Sequence, residues 1–273
     1  MAPEEQLRWE ARFAKPAAVS AFLAAFFIVA GTVVRQVVAL SDRPDDEREF
    51  LIAIDENAGS FIASACIQSL SFLFLGGVLV YLYRATKARK PEFPAIAFVI
   101  AILGPVLLAV AGPLSDVSRL DIADEFLSSG PTTEARAEDL LEDRSVAAAA
   151  IGSAGTLALA ISLVLININA MRVGLLSRFM GVIGAIVGGL YVLPILSGPL
   201  IVQLFWLVAI GPLFLGRWPG GRGPAWESGE AEPWPSPAEV RAKALEQVDP
   251  PTPEDAQPDE TPARTKRKRK KRR

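Results

Sequence analysis

The side chains that could do chemistry in this sequence lie in or beside long apolar stretches. Gln68 and Gln203 lie inside two of these stretches, and Arg35 comes one residue after the first. Exposing a glutamine amide to lipid costs free energy, so we expect both amides to face other helices. There they either hydrogen-bond between helices, for about 0.5–2 kcal/mol each, or line the path of a polar solute. We expect Arg35 to reach the headgroup layer, or to turn inward if the apolar residues Val37–Leu40 extend its helix.

The composition argues against most catalytic and metal chemistry. The 273-residue chain has no histidine, and its one cysteine, Cys66, is expected to be a small buried apolar residue. Without an imidazole, a serine nucleophile would need a lysine base, and no lysine lies inside an apolar stretch. Proton-coupled transport normally uses ionisable groups such as carboxylates inside the membrane, and the apolar stretches contain no carboxylate. We therefore predict that the protein is not an enzyme and uses no cofactor and no metal.

Two acidic segments between the apolar stretches are further candidates for ligand binding. Asp42–Glu56 contains seven acidic residues, and Asp116–Arg144 contains nine. Hard cations take several carboxylate oxygens, but neither segment has the residue spacing of a calcium-binding loop. A solvated acidic surface is the simpler interpretation, and cation binding is the alternative.

Helix signals within the acidic segments predict short amphipathic helices on the outer membrane surface. Pro44 marks the start of the first helix, and Ser115 marks the start of the second, which Gly130 ends. A third helix is predicted over Glu134–Asp143. We expect the apolar faces of these helices to rest on the membrane.

All these residues are positioned by six long apolar runs that contain no acidic or basic residue. Each run has 18 to 24 residues, and a helix rising about 1.5 Å per residue needs roughly 17–25 residues to cross a hydrocarbon core about 30 Å thick. We therefore predict an all-α fold, a polytopic membrane helix bundle with six transmembrane helices. The predicted spans cover about 17–40, 60–83, 94–114, 146–168, 179–197 and 198–216.

The distribution of lysine and arginine predicts the orientation of the bundle. Both ends of the chain and the connections after the second and fourth spans are basic, whereas the other connections are acidic or uncharged. Positively charged loops stay on the cytoplasmic side, so we expect a multi-pass protein of the cytoplasmic membrane with both termini in the cytoplasm. The predicted parts are a cytoplasmic segment 1–16, the membrane domain 17–216, a cytoplasmic segment 217–247 and a tail 248–273.

Two rows of small residues predict close helix packing. Small side chains let helix backbones approach, so we expect the fourth and fifth spans to touch within this chain, with a dimer contact as the alternative. The rows are Ala148, Gly152, Thr156 and Ala160 in the fourth span, and Gly184 and Gly188 in the fifth.

Gly-Pro dipeptides occur only in the third and sixth predicted spans and at their edges. Broken helices at corresponding positions of two halves are typical of a transporter binding site, although membrane helices also kink for ordinary packing reasons. The pattern supports a transporter as an alternative function. The prolines concerned are Pro105, Pro113, Pro199 and Pro212.

The C-terminal tail ends in a run of basic residues. Residues 217–247 are rich in tryptophan and proline and include a predicted short helix beginning at Ser236, while 248–273 should be disordered because it cannot bury apolar area. The basic run could contact anionic lipids or the phosphates of RNA or the ribosome, or it could be a solvated end. Its eight consecutive residues are Lys266, Arg267, Lys268, Arg269, Lys270, Lys271, Arg272 and Arg273.

Two stretches resemble features of uncharacterised bacterial six-span integral membrane proteins, a family of unknown function. They are NAMRVGLLSRFMG at Asn169–Gly181 and FLGRWPGGRGPAWESGEA at Phe214–Ala231. The resemblance covers roughly the last three spans and the segment after them, and it implies no activity. We predict an integral membrane protein with a structural, regulatory or interaction role, and the alternative is a small-solute transporter or channel.

Overall fold

The computed structural model of the chain describes residues 3–40, 44–142, 146–193, 200–219, 221–235 and 241. Within these ranges the regular secondary structure is helical, with no strand. The helices are α1 (Pro3–Val33), continued by a π-helical turn at Val34–Ala39, α2 (Glu47–Glu56), α3 (Ala58–Arg89), α4 (Ile96–Ser128), α5 (Glu134–Glu142), α6 (Val146–Arg172), α7 (Arg178–Val192), α8 (Leu200–Phe214) and α9 (Ala225–Ser228).

Among the described residues, four helices are long and apolar enough to cross a membrane. They are α1 with its π-helical turn, α3, α4 and α6, with lengths of 37, 32, 33 and 27 residues. The all-α prediction is confirmed for the described part of the chain. The predicted disordered tail and the predicted helix beginning at Ser236 lie outside the described residues, apart from the single residue Arg241.

The two remaining predicted spans, 179–197 and 198–216, correspond to shorter helices. The helices α7 and α8 have 15 residues each, or about 22 Å at 1.5 Å per residue. Helix α7 ends at Val192 because Pro194 disfavours the helical conformation in the residue before it. Leu193 accordingly has extended φ and ψ angles of −95° and 113°.

The outside of the bundle is strongly apolar. Soluble proteins rarely expose contiguous apolar patches larger than a few hundred Å², so this surface fits a protein that inserts into a bilayer. Cys66 lies on this apolar surface, so the prediction that Cys66 is buried is wrong. The neighbouring residues Ser64 and Ala65 face the inside of the bundle instead. On α4 the exposed residues include Val99, Ile102, Val106, Val110 and Val117.

One end of the bundle, which we call the acidic end, carries α2, α5 and the last turns of α4. The prediction that a separate helix starts at Ser115 is wrong, because α4 continues without interruption to Ser128. Gly130 then turns the chain with a φ of 73°. Helix α2 begins at Glu47 rather than at Pro44, because the Asp46 carboxylate accepts a hydrogen bond from the backbone N–H of Glu49 at 2.7 Å.

The helices at the acidic end pack on one another, which corrects the prediction that their apolar faces rest on the membrane. They share a small core that also includes the end of the π-helical turn and the start of α3. Burying these side chains against each other removes them from any lipid contact. The core residues are Ala39, Leu51, Ile54, Phe61, Ala123, Phe126, Ala137 and Leu141.

At the opposite end, which we call the basic end, the segment 1–16 is not separate from the first span. From Pro3 onward it forms the first turns of α1, and alanines along α1 allow close contact with α3. The short helix α9 also packs into this end, where Trp226 is buried in the main core. The basic end therefore joins the chain before the first span to the chain after α8.

Candidate functional site

An open cavity of about 630 Å³ lies between the helices of the bundle, toward the acidic end. We call it the deep cavity. Side chains from α1, its π-helical turn, α3, α4, α6, α7 and α8 line it, so almost every helix of the membrane domain contributes. Arg35, Gln68 and Gln203, which the sequence marks separately, all lie around this cavity. Its principal polar residues are Arg35, Gln68, Asp116, Arg119, Tyr191 and Gln203.

A second cavity, of about 830 Å³, lies between the deep cavity and the helices of the acidic end. We call it the vestibule. The two cavities share Arg35, Gln36, Ser115 and Arg119 as lining residues, so they adjoin at this ring of polar side chains. A polar molecule entering through the vestibule would therefore meet the two arginines before the glutamines.

An ion-pair cluster occupies the boundary between the two cavities. Asp116 is 2% exposed, and its two carboxylate oxygens accept hydrogen bonds from different arginines. Arg35 donates to one oxygen, and Arg119, one turn further along α4, donates to the other at 2.7 Å. The side chains of Arg35 and Arg119 are 29% and 36% exposed. We call these three residues the arginine–aspartate cluster, and its net charge is +1.

Arg35 turns into the bundle because α1 does not end at the apolar run. The π-helical turn extends α1 to Ala39, and Leu40 donates its backbone N–H to the Arg35 carbonyl at 2.9 Å. Arg35 follows the buried Ile28 and Gly31 by seven and four residues, so it shares their inward face. Its guanidinium lies 4.3 Å from the Phe61 ring centroid, a cation–π contact. Short π-helical turns occur frequently at functional sites.

The two glutamines occupy the deeper part of the cavity, and each has a group left for a ligand. Gln68 donates to the Ser71 hydroxyl at 3.1 Å, while Gln203 accepts from the Tyr191 hydroxyl at 2.9 Å. In the described part of the chain, the Gln68 carbonyl oxygen and the Gln203 amide N–H groups make no hydrogen bond. Gly31 makes room for Gln68, because a Cβ there would lie 3.1 Å from the Gln68 carbonyl oxygen.

Gly184 and Gly188 lie away from the cavity, where α7 packs on α6. A side chain at Gly184 would overlap the Asn167 amide, and a Cβ at Gly188 would lie 2.7 Å from the Ala160 carbonyl oxygen. The predicted row on α6 does not act as one packing face. Ala160 lies at the contact with α7, whereas Gly152 and Thr156 line the deep cavity.

The carboxylates around the vestibule hold the helices of the acidic end together. Glu134 accepts hydrogen bonds from the backbone N–H groups of Glu47 and Arg48 at 3.0 and 2.9 Å, at the start of α2. Negative charge there is favourable because the helix N-terminus is partially positive. Within the described ranges, no group of three or more acidic or cysteine side chains is arranged to hold a metal ion.

Sequence reasoning missed Asp116, Arg119 and Tyr191 as cavity residues. Asp116 was assigned to an exposed acidic loop, and no carboxylate was expected at the depth of the spans. A usable signal was present: Arg35 and Asp116 follow the first and third apolar runs by one and two residues. Both positions fall at the same end of the bundle, so an attraction between the two charges could have been predicted.

A second buried ion pair lies at the basic end. Glu10 accepts two hydrogen bonds from Arg89, one of them at 3.0 Å, and the Arg89 side chain is fully buried. Arg89 also donates through Nε to the Ala225 carbonyl at 3.1 Å. Beside this pair, the Trp226 indole donates to the Leu175 carbonyl at 2.8 Å. Leu175 and Trp226 belong to the two stretches that carry the family resemblance.

The fold and the cavity define a helical protein of membrane type with a polar site inside its bundle. The chain belongs to the family described as "Domain of unknown function (DUF4386)", whose model matches residues 18–218. The matched segment runs from within α1 to just past α8 and includes every residue that lines the deep cavity. No curated protein and no solved structure matches the chain. The family and the apolar helices fit an integral membrane protein of unknown activity.

Proposed function

We propose that this chain is an integral membrane protein that binds a small polar solute in the deep cavity and carries it across the membrane. The observation that carries the proposal is the convergence of Arg35, Gln68 and Gln203, from three different helices, on one cavity. This favours the transporter predicted as an alternative over a purely structural or interaction role. The cavity volume of about 630 Å³ falls within the range of about 300–1,000 Å³ usual for small-molecule sites.

The polar groups of the cavity support solute binding over helix pairing. Gln203 joins α8 to α7, because it accepts a hydrogen bond from Tyr191, whereas Gln68 bonds only to Ser71 of its own helix. Each glutamine also keeps an amide group without a partner among the described residues, which helix pairing alone does not require. Asp116 is occupied by two arginines and the chain has no histidine, so no free base is present at the cluster. We therefore propose that the solute is bound without being converted.

Loss of solute transport is the expected result of removing the cavity's amides and Arg35. We expect Arg35→Ala, Gln68→Ala and Gln203→Ala each to reduce uptake at least tenfold in liposomes that contain the purified full chain. Uptake is to be measured against a panel of labelled anionic, neutral and cationic solutes.

Ser162→Ala is the matched control for the uptake measurement. Ser162 is fully buried in α6, donates to the Leu159 carbonyl of its own helix and does not line the cavity. We expect this variant to transport normally. Two results would count against transport through the deep cavity. One is uptake that stays the same in all three cavity variants, and the other is an equal reduction of uptake in Ser162→Ala.

We also propose six membrane crossings in the cytoplasmic membrane, with both termini in the cytoplasm and the acidic end outside. The basic connections at the opposite end support this orientation. In a Cys66→Ser background, a single cysteine at Asp124 is expected to react with a membrane-impermeant maleimide from outside intact cells. Asp124 suits this test because it is exposed near the end of α4.

A cysteine at Arg84 provides the matched control for orientation, because Arg84 is exposed near the basic end of α3. It is expected to react only after the membrane is opened. Labelling of the Asp124 site only in opened cells would reverse the proposed orientation.

A further inference from the structure

We propose that the solute of the deep cavity carries an anionic group, a carboxylate or a phosphate, which binds to the N–H groups of Arg35 and Arg119 that Asp116 does not use. The inference rests on the proposed function, because it names the chemical class of the solute that the same cavity binds. Three observations support it: the net charge of the residues that line the deep cavity, the unused N–H donors of the two arginines, and the hydrogen bonds and ion pairs of the nearby carboxylates.

The lining of the deep cavity has an excess of positive charge. Arg35, Arg119 and Asp116 are its acidic and basic residues among the described lining positions, and they leave a net charge of +1. A charge that is partly removed from water interacts more strongly than one at the surface. An anion placed beside the cluster would therefore neutralise it, whereas a cation would add to the uncompensated charge.

The two arginines keep donors that can reach a ligand. A guanidinium has five N–H donors in a planar fork. Arg35 uses Nη2 on Asp116, Arg119 uses Nη1, and the other nitrogens of both side chains make no hydrogen bond within the described structure. Both side chains are about one-third exposed, and both line the two cavities. Such forks suit the paired oxygens of a carboxylate or a phosphate.

Asp116 is committed to its arginines and would not have to leave for an anion to bind. Its two oxygens each hold one arginine, which fixes the guanidinium groups on either side of the carboxylate. A buried counter-charge of this kind keeps the arginines folded inward when no solute is present. Both arginines line the two cavities, so their remaining N–H groups are available at the boundary that the cavities share.

The vestibule carries carboxylates that face the same arginines, because Asp45, Asp46, Glu47 and Glu134 line it together with Arg35 and Arg119. Two of the four, Glu134 and Asp46, accept backbone hydrogen bonds at the start of α2, where the partial positive charge of the helix N-terminus offsets part of their charge. Screening at physiological salt also weakens interactions between exposed charges beyond about 8 Å. The vestibule charge is therefore expected to slow the entry of anions at low salt rather than to prevent their binding.

The test measures thermal unfolding of the purified full chain in a neutral detergent, followed by tryptophan fluorescence. Potassium phosphate and sodium succinate are the anionic probes, with choline chloride and glucose as the cationic and neutral probes at matched ionic strength. We expect a saturable rise in the unfolding temperature with an anionic probe, and at least tenfold weaker apparent affinity in Arg35→Gln and Arg119→Gln. Arg35→Lys, which keeps the charge but not the planar fork, should recover part of that affinity.

Two further arms separate specific binding from other effects. Arg48→Gln removes an arginine of the acidic end that does not line either cavity, and it should leave the anion response unchanged. General stabilisation of proteins by phosphate would appear equally in all variants, which would contradict the inference. Nanodiscs with phosphatidylglycerol, compared with phosphatidylcholine, identify the source: a response to this lipid alone assigns the anionic group to a headgroup rather than to a soluble solute.

The outcomes distinguish failure of the inference from failure of the proposed function. Saturable binding of choline or glucose that Gln68→Ala abolishes would overturn the anionic assignment and leave the proposed cavity function standing. Binding of the anionic probes that is unaffected by Arg35→Gln and Arg119→Gln would also overturn the assignment. Absence of any saturable response, together with the absence of uptake in liposomes, would contradict both.

Discussion

Replacing Arg89 by methionine is expected to lower the free energy of unfolding by about 3–5 kcal/mol, because it removes the counter-charge of the buried Glu10 carboxylate, which keeps a hydrogen bond from Gln6. The Glu10 side chain is 2% exposed, and after the substitution it would lose both hydrogen bonds from Arg89. The Ala225 carbonyl would lose its partner as well. Unfolding of the detergent-solubilised chain, monitored by circular dichroism, measures the change.

Two companion variants make the Arg89 result specific. Arg84→Met removes an exposed arginine of the same helix, together with its cation–π contacts to the Trp9 and Phe98 rings, and should cost about 1 kcal/mol, well below the loss expected for Arg89→Met. The double variant Glu10→Gln with Arg89→Met should recover part of the loss, since it leaves no unpaired buried charge. An Arg89→Met protein as stable as the parent, or a double variant no better than Arg89→Met alone, would mean that the pair does not hold the basic end together.

Contacts at the basic end extend the folded unit beyond the apolar helices. Arg89 joins α1 to α9, and Trp226 joins α9 to the α6–α7 connection through Leu175. The chain after α8 is therefore part of the folded membrane domain at least as far as α9. Helix α9 lies beyond residue 218, where the match to the family model ends.

The apolar runs were sufficient to predict the helices but not their lengths. Six runs predicted spanning helices, and four of them lie in described helices long enough to cross a membrane, while the other two lie in helices of 15 residues. The helices form because uninterrupted apolar segments have one stable form in lipid. An apolar run ends at the first charged residue, whereas a helix ends where its backbone hydrogen bonds end. Helix α4 therefore continues through Ser115 and Asp116, while α7 ends early, before Pro194.

The cavity could be predicted only in part. Arg35, Gln68 and Gln203 were identifiable one by one, since each is a polar side chain in or beside an apolar run. Their convergence depends on tertiary packing, which no local pattern encodes. Asp116 was missed for the same reason: its burial follows from its contact with Arg35, 81 residues earlier in the chain.

Removing the carboxylate of the arginine–aspartate cluster is expected to make the stability of the protein depend on anions. Asp116→Asn leaves Arg35 and Arg119 facing each other without a counter-charge, while the asparagine keeps the size of the side chain. We expect a loss of about 1–3 kcal/mol, less than for a fully buried pair because both arginines are about one-third exposed. Thermal unfolding without added phosphate or succinate measures this loss.

The same variant separates structural pairing from solute binding. If an anion binds to these two arginines, phosphate or succinate should stabilise Asp116→Asn more than the parent, because the anion no longer meets the charge of Asp116 and can replace the missing carboxylate. Asp121→Asn, which removes an exposed carboxylate from the same helix, should show no such gain. A loss of stability that anions do not recover would leave the cluster as a helix-pairing device. An Asp116→Asn protein as stable as the parent would show that the two arginines need no counter-charge, which contradicts the argument from the net charge of the cavity.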